Sequence, residues 1–276
     1  MKVFLKFTLS LISMTTFVIS CNKEFAETPS SGEIILMVDD GHLDVSTRAT
    51  ALTAVPSSLY WSATTGTLGS ETKKWDSTSA SVASGKIATG KYQTATATTY
   101  NYYLANTAIT FASTGSTIVA ENTNDIIVGK ATSNSTAPSI TMDHVFARTG
   151  SVSCSSANGY VLSNLSYKIK SKDANTGTKG TYNIKDNTWS SATALSEQAL
   201  TNSSDLYLIP GVYTFTVSGT EKMGDYSKSF SASADITLAA GKVNNISAKR
   251  TSSGAQGITI SVTLNPWGTN NLTPSI

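Results

Sequence analysis

The strongest constraint on the fold of this chain is a strict alternation of apolar and polar residues in its C-terminal part. Over residues 258–264 every second residue is aliphatic, and the residues between them are Thr, Ser and Thr. The same two-residue period runs through residues 230–238 and 213–217. Successive side chains of a β-strand point to opposite faces, so this period predicts strands with one buried face.

Turn-forming residue pairs separate these strand patterns. Asn158-Gly159, Pro210-Gly211 and Ala240-Gly241 are examples, and such pairs favour tight turns. No segment longer than about ten residues keeps the 3.6-residue apolar period of a helix. The best helical candidate is the short segment 191–199. Many short strands with frequent turns predict an all-β fold of antiparallel sandwiches.

A stretch of small polar residues over 131–138, ending in proline, is the predicted domain boundary. It divides the chain into an N-terminal sandwich over residues 49–135 and a C-terminal sandwich over residues 139–276. The expected architecture is therefore two tandem antiparallel β-sandwich domains.

The N-terminus has the pattern of an export signal. Lys2 and Lys6 precede an apolar stretch over residues 7–19, which ends just before Cys21. This pattern predicts a signal peptide over residues 1–20, and the stretch is shorter than the roughly 20 residues of a transmembrane helix. Cysteine in the first position after the cut resembles a bacterial lipoprotein signal and predicts lipidation of Cys21. An ordinary signal peptide with an incidental cysteine is the alternative.

Residues 21–48 form an acidic leader that contains one unusual strand pattern. Between Glu33 and Asp39 the residues are continuously apolar, namely Ile34, Ile35, Leu36, Met37 and Val38. A flexible tether would be polar, whereas a continuous apolar run predicts a strand with both faces buried in a sheet. The whole chain has a net charge of +2 and no basic block, which argues against a nucleic-acid partner.

Residues for catalysis or metal binding are scarce. Of the two histidines, His42 lies in the leader, and His144 lies in a strand pattern that predicts a structural hydrogen bond. No serine has the setting of a nucleophile elbow. Cys154 has no signal of an activated thiolate, and a lipidated Cys21 could not pair with it. Residues 173–177 begin like a calcium loop but lack its closing glutamate. We predict no enzyme activity, no metal and no cofactor.

A series of short motifs runs along nearly the whole chain. They are Cys21, the strand 33–39, Ser46-Thr47-Arg48-Ala49-Thr50, Tyr102-Tyr103-Leu104-Ala105, a His-x-x-Ala-Arg pattern in 142–148, Leu208-Ile209-Pro210-Gly211, residues 238–242 and a last strand ending near Trp267. Their order and spacing resemble the fimbrillins of Bacteroidetes, the FimA/Mfa-like superfamily of type V pilus subunits. Asp143 departs from the pattern, since an apolar residue is expected there.

The resemblance implies a fold, an assembly mechanism and a cellular location. Family members have transthyretin-like sandwiches and reach the outer membrane as lipoproteins. An arginine-specific, trypsin-like protease would then cut between Arg48 and Ala49 and release the leader with its strand 33–39. A donor strand from a neighbouring pilin subunit would fill the vacated groove by β-strand addition. The product would be a cell-surface fimbria that mediates adhesion.

Two questions stay open from the sequence. The donor strand is expected at the C-terminal end, at Ile258, Ile260, Val262 and Leu264, with Leu272 and Ile276 as further candidates. The alternative is that residues 258–264 are the last strand of their own sandwich, followed by a tail after Trp267. The second question is function, because a surface lipoprotein that binds glycans or host proteins without polymerising would keep 33–39 as a permanent strand. The tryptophans and tyrosines would then line a sugar cleft rather than a core.

Overall fold

The computed structural model describes residues 32–39, 54–67, 70–94, 96, 98–112, 115–156, 159–201, 206–250 and 257–266. These residues form nineteen strands and no α-helix, which confirms the predicted all-β fold. The helical candidate 191–199 is wrong, because its residues end one strand and begin the next. A helical segment of only nine residues is marginally stable on its own, so pairing with neighbouring strands outweighs it.

The strands are numbered in chain order. They are β1 (Glu33–Asp39), β2 (Ser58–Thr65), β3 (Thr72–Ser81), β4 (Lys86–Tyr92), β5 (Tyr100–Ala105), β6 (Thr110–Ala112), β7 (Gly115–Glu121), β8 (Ile127–Ser133), β9 (Ser139–His144), β10 (Ala147–Ser156), β11 (Val161–Ser171), β12 (Lys179–Asn183), β13 (Thr188–Thr193), β14 (Gln198–Leu200), β15 (Tyr207–Leu208), β16 (Gly211–Met223), β17 (Tyr226–Leu238), β18 (Lys242–Arg250) and β19 (Ile258–Pro266).

The first sheet has seven strands in the order β3-β2-β5-β8-β9-β1-β4. Its two outer strands, β3 and β4, follow each other in the chain, and a bridge between Ala83 and Lys86 closes the turn between them. The sheet therefore curls around one apolar core, to which Leu36, Trp61 and Tyr102 belong. Every residue of β5 is buried, because the outer face of the curled sheet is covered as well.

Two four-stranded sheets enclose the core of the C-terminal part. One has the order β15-β10-β18-β19 and the other β14-β11-β16-β17. Alternating residues such as Phe215 and Val217 from β16 and Ile246 from β18 meet between them. The alternation over 213–217 and 230–238 is thus realised as predicted, with the apolar residues inside and the Thr and Ser residues outside.

A third four-stranded sheet, β13-β12-β7-β6, joins the two parts of the chain. β7 precedes the predicted boundary and β12 follows it, yet they pair antiparallel from Thr117↔Asn183 to Glu121↔Lys179. This sheet covers the outer face of the first sheet over a middle core that includes Tyr103, Ile118 and Phe146.

The sheets do not follow the predicted division into residues 49–135 and 139–276. β8 and β9 are antiparallel neighbours in the first sheet, so residues 134–138 connect a strand pair and not two domains. Two local hydrogen bonds shape this connection: the amide of Ser135 donates to Ser133 Oγ, and that of Ala137 donates to Ser135 Oγ, both at 3.0 Å. Small polar residues favour such turns within a sheet as much as linkers between domains.

The chain leaves the first sheet at Val145 and Phe146 instead. The His-x-x-Ala-Arg pattern over residues 142–148 does not form one strand, since β9 ends at His144 and β10 begins at Ala147. Both intervening side chains are buried in the middle core. The first sheet and the C-terminal part are therefore joined through two buried apolar residues and not through a polar linker.

Candidate functional site

The candidate site is the position of β1 in the first sheet. β1 runs parallel to β9, with Met37 opposite Ser139, and antiparallel to β4, with Leu36 opposite Ile87. Ile34, Leu36 and Val38 point into the first core. Ile35 and Met37, on the other face, are only half-buried. The expectation that both faces are buried is therefore wrong, since the outer face of β1 is partly open to solvent.

Hydrogen bonds fix β1 along both of its edges. On the β9 side, the amides of Ile35 and Met37 donate to the carbonyls of Thr136 and Pro138 at 2.8 and 2.9 Å. On the β4 side, the amide of Val38 donates to the carbonyl of Gly85 at 2.7 Å. β1 is thus an interior strand, and its loss would leave unpaired edges on both neighbours.

The first residues of β1 are held by a bulge in its pairing with β4. The ladder shifts register between Glu33 and Ile35, and Gly90 has a positive φ of 63°. At this point the Gly90 amide donates to Glu33 Oε1 at 2.9 Å, and Thr89 Oγ1 donates to the Ile34 carbonyl at 2.7 Å. Glycine adopts this φ without steric cost, so the bulge can present its amide to the carboxylate.

The apolar contacts of β1 are its main stabilising contribution. Fully burying one large aliphatic side chain contributes roughly 1.5–3 kcal/mol, so the three inward residues together contribute roughly 5–9 kcal/mol. A groove without them would expose apolar core and two strand edges to water. Such a surface favours addition of another strand.

The structure adds partners that the sequence did not predict for two of the family motifs. His144 is a buried strand residue whose Nδ1 lies 2.9 Å from Asp125 Oδ1, so its predicted structural hydrogen bond is confirmed. Tyr103 donates to the buried Glu71 Oε1 at 2.6 Å. Burial, followed by this hydrogen bond, raises the pKa of Tyr103 above its ordinary value. The sequence motifs contained no signal for Asp125 or Glu71. Both carboxylates lie outside the strands that carry His144 and Tyr103.

The candidate donor residues lie in β19, the outer strand of a C-terminal sheet, where β18 is its ladder partner. Ile258, Ile260 and Val262 pack against the C-terminal core and are half-buried. Leu264 has the same parity in the strand, but half of its surface (50%) is exposed. In this structure β19 therefore belongs to its own sandwich, as the alternative interpretation had it.

Several predicted residues lie outside the described residues. They are the lipidation site Cys21, the processing residues Arg48 and Ala49, and the tail residues Trp267, Leu272 and Ile276. The other two arginines of the chain are described, and both are buried: Arg148 is 4% and Arg250 is 0% exposed. Within the described ranges, no helix is long and apolar enough to cross a membrane.

A second concave surface lies where β8 and β9 meet β12 and β13. This junction cavity has a volume of about 540 Å³, and Lys130, Asp143, Tyr182, Trp189 and Lys242 are among its lining residues. Burial raises the pKa of Tyr182 to about 12 and lowers that of Lys130.

The aromatic residues around the junction cavity pack into the middle core and do not form an open surface on which a sugar ring could stack. The Trp189 ring packs on Phe146 and Tyr182, with centroids 5.2 and 5.0 Å apart. Trp61 and Trp75 pack in the first core. In the part of the chain that the structure describes, no group of three or more His, Cys, Asp or Glu residues is placed to hold a metal ion.

Comparison with known families identifies the chain. A model of fimbrillin-like proteins matches residues 100–267, which is more than half of the sequence. The chain belongs to the fimbrillin-like family. The matched region of this fimbrillin begins at β5 and extends through β19, so β1 lies outside it.

Solved structures share the fold of this fimbrillin. A fimbrial protein from Bacteroides vulgatus superposes with a TM-score of 0.52 at 10% identity, over 85% of this chain and 99% of that one. A candidate cell adhesion protein from Bacteroides uniformis gives 0.52 at 12% identity, over 85% and 99%. One from Parabacteroides distasonis gives 0.50 at 12% identity, over 86% and 96%. Among curated proteins, none matches the chain.

Proposed function

We propose that this fimbrillin is a structural subunit of a cell-surface fimbria that assembles by strand exchange at the β1 position. The precursor is exported as a lipoprotein through Cys21 and is held at the outer membrane. An arginine-specific protease cuts between Arg48 and Ala49, β1 leaves with the leader, and a donor strand of another subunit takes its place. The resulting fimbria mediates adhesion.

The observation that carries the proposal is the position of β1 in both the chain and the sheet. It is the first described strand, and the segment that contains Arg48 separates it from β2. In the sheet, however, it lies between β9 and β4. One cut after Arg48 would therefore separate an interior strand from the rest of the protein without breaking any other described strand.

The distribution of arginines supports the same cleavage site. The chain contains three arginines, and the buried positions of Arg148 and Arg250 within strands β10 and β18 withhold two of them from a protease. Cleavage requires a segment that can enter the protease in an extended form, which a paired strand in a sheet cannot do without unfolding. Arg48 is then the arginine left for processing of the folded precursor.

The test is polymer formation by cells that carry Arg48→Ala. This variant should accumulate as a folded monomer, because β1 stays covalently attached in its groove. Arg48→Lys should behave in the same way, since it keeps the charge but removes the arginine. Ala49→Ser, which keeps the arginine, is the matched control and should polymerise.

High-mass ladders from Arg48→Ala on unboiled gels would rule out this route. The N-terminus of the surface protein separates the two candidate functions. Ala49 is expected for the fimbrial subunit, whereas lipid-modified Cys21 would indicate the non-polymerising lipoprotein that binds glycans or host proteins.

A further inference from the structure

Most outer strands of the described sheets have features that prevent them from pairing with another chain. An outer strand exposes unpaired main-chain N–H and C=O groups, and short length, bulges or charged side chains normally keep other strands from adding to it. β15 has two residues, and β14 and β6 have three each. β13 has a bulge in its ladder with β12, and β17 contains Lys228 and Asp235.

β19 is an outer strand without any of these features along its length. It has nine residues, none of them charged, and its one proline is the last residue. Its ladder with β18 is regular from Arg250↔Ile258 to Lys242↔Pro266, without a bulge. Within the described ranges no strand pairs with its other edge. That edge is therefore long, regular and neutral, which is the kind of edge that favours addition of a strand.

The aliphatic side chains of β19 are also incompletely covered. Ile258, Ile260 and Val262 pack against the C-terminal core but are only half-buried, and Leu264 is 50% exposed. β19 contacts β17, the outer strand of the facing sheet, so these residues lie along one side of the sandwich. A neighbouring strand with aliphatic residues on the same face would continue both the sheet and its apolar core.

We propose that β19 pairs antiparallel with β19 of a second copy of this chain, across a twofold axis at Ser261. The sheet β15-β10-β18-β19 and the same sheet of the second copy then form one continuous sheet. Each β19 stays in its own sandwich, so this contact is separate from strand exchange at the β1 position. Main-chain hydrogen bonds provide the affinity of such an edge contact, and the twofold symmetry closes it at two copies.

The sequence of β19 is complementary to itself in this arrangement. Antiparallel pairing about Ser261 places Ile258 opposite the partner's Leu264. It also places Ile260 opposite the partner's Val262, and each of these pairs occurs twice. The aliphatic residues of both copies therefore lie on one face, where cross-strand pairs of this kind stabilise a sheet. No like charges meet, because β19 contains no charged residue.

The first test is the oligomeric state of the uncleaved protein, measured by sedimentation velocity over a range of concentrations. One strand pair is a small interface, so we expect a reversible dimer with a dissociation constant of roughly 1–100 μM. This dimer should dissociate on dilution and in a denaturing gel, unlike the ladders that strand exchange produces. A protein that is still monomeric at about 1 mM would overturn the proposal.

The second test places a charge on the twofold axis. Ser261→Lys sets two ammonium groups opposite each other and should weaken the dimer at least roughly tenfold. Ser247→Lys is the matched control, because Ser247 Oγ on β18 lies 2.9 Å from Ser261 Oγ. Both substitutions remove the same hydrogen bond, but Ser247 lies one strand away from the edge. Ser247→Lys should therefore dimerise like the natural protein, and both variants should melt at similar temperatures.

A mixture of oppositely charged variants tests the register. Ser261→Asp should be as weakly associated as Ser261→Lys when each is alone, since like charges meet on the axis. An equimolar mixture should recover the dimer, because a carboxylate then lies opposite an ammonium group. Two variants that stay monomeric in the mixture would overturn the pairing about Ser261.

The remaining outcomes also decide the question. Equal weakening by Ser247→Lys and Ser261→Lys would overturn the edge contact. A monomeric full chain whose form ending at Pro266 dimerises would show that residues 267–276 cover the edge, and this too would overturn the proposal. After cleavage, Ser261→Lys should still form polymers. Absence of polymers from the natural protein, with its dimer intact, would overturn fimbrial polymerisation alone.

Discussion

At the scale of single residues, the most unusual feature is a buried ion pair in a chain with few charges. Arg250 and Glu221 form an ion pair in the C-terminal part, with side chains 0% and 1% exposed. The guanidinium group also lies 5.5 Å from the centre of the Phe230 ring. Lys168 and Glu197 form a similar pair at the surface, with side chains 46% and 51% exposed. Solvent screens the surface pair, whereas the buried pair depends on both partners.

We predict that Glu221→Gln lowers the free energy of unfolding by about 3–5 kcal/mol, because it leaves Arg250 buried without its counter-charge. Glu197→Gln should change it by less than about 1 kcal/mol, since the Lys168 ammonium stays solvated. Urea denaturation of both variants measures the difference. Equal effects would show that Arg250 is compensated by other groups.

The two residue types in this pair illustrate what the sequence could and could not predict. The alternation over 213–217 and 230–238 correctly separated inward-facing from outward-facing residues, because it depends only on strand geometry. In 258–264 it was wrong at one position, since Leu264 is 50% exposed. Glu221 and Arg250 were not predicted to be buried, because a buried charge requires a partner on a distant strand. The same reason left Glu71 and Asp125 unrecognised until the structure placed them beside Tyr103 and His144.

At the scale of single elements, β1 and β19 contrast in how far they are covered. β1 has a neighbour on each side, and its inward residues are buried. Among the described strands, β19 pairs only with β18, and its residues Ile258, Ile260 and Val262 are half-buried. The existence of both strands followed from their apolar patterns. Their neighbours did not, because pairing partners are chosen by the whole sheet and not by the strand itself.

Leu36→Ala should destabilise the uncleaved protein by about 2–5 kcal/mol, because it leaves a cavity in a core position of β1. Ile35→Ala, at the next position on the half-buried face, should cost clearly less. Chemical denaturation of the two variants provides the comparison. If both substitutions cost the same, the core face and the outer face of β1 would be equally important.

A chain that ends at Pro266 should fold as stably as the full chain, because β19 and its ladder with β18 remain. A chain that ends at Gly257 loses β19, exposes the C-terminal core at Ile246 and Ala248, and should unfold at a markedly lower temperature. Thermal unfolding followed by circular dichroism measures both. A stable chain ending at Gly257 would show that the C-terminal core does not need β19.

At the scale of the whole molecule, the sheet β13-β12-β7-β6 makes the two parts of the chain interdependent. β6 and β7 come from the first part, and β12 and β13 come from the second. Composition suggested a division near residues 131–138, because it reveals flexible segments but not long-range pairing. The pairing of β7 with β12 is long-range, and no local pattern in either strand specifies the other.

The full chain should therefore unfold in one cooperative transition. Separately expressed residues 32–144 and 145–276 should each lack stable structure, since neither contains all four strands of the sheet β13-β12-β7-β6. Differential scanning calorimetry of the full chain and circular dichroism of the fragments are the measurements. Two resolved calorimetric transitions, or a folded isolated fragment, would show that the parts are independent domains.

The interior position of β1 also has a consequence for the order in which the protein is made. Synthesis proceeds from the N-terminus at about 5–20 residues per second, so β1 exists before either of its neighbours, β4 and β9. Until Ser139–His144 has followed, the apolar run of the leader has no groove to enter. During that interval the apolar leader segment is exposed and can associate with other chains. A chaperone that holds the unfolded precursor must therefore protect it. β1 is thus synthesised before the other described strands but can join its sheet only after β9 exists. The precursor needs a chaperone for as long as that delay lasts.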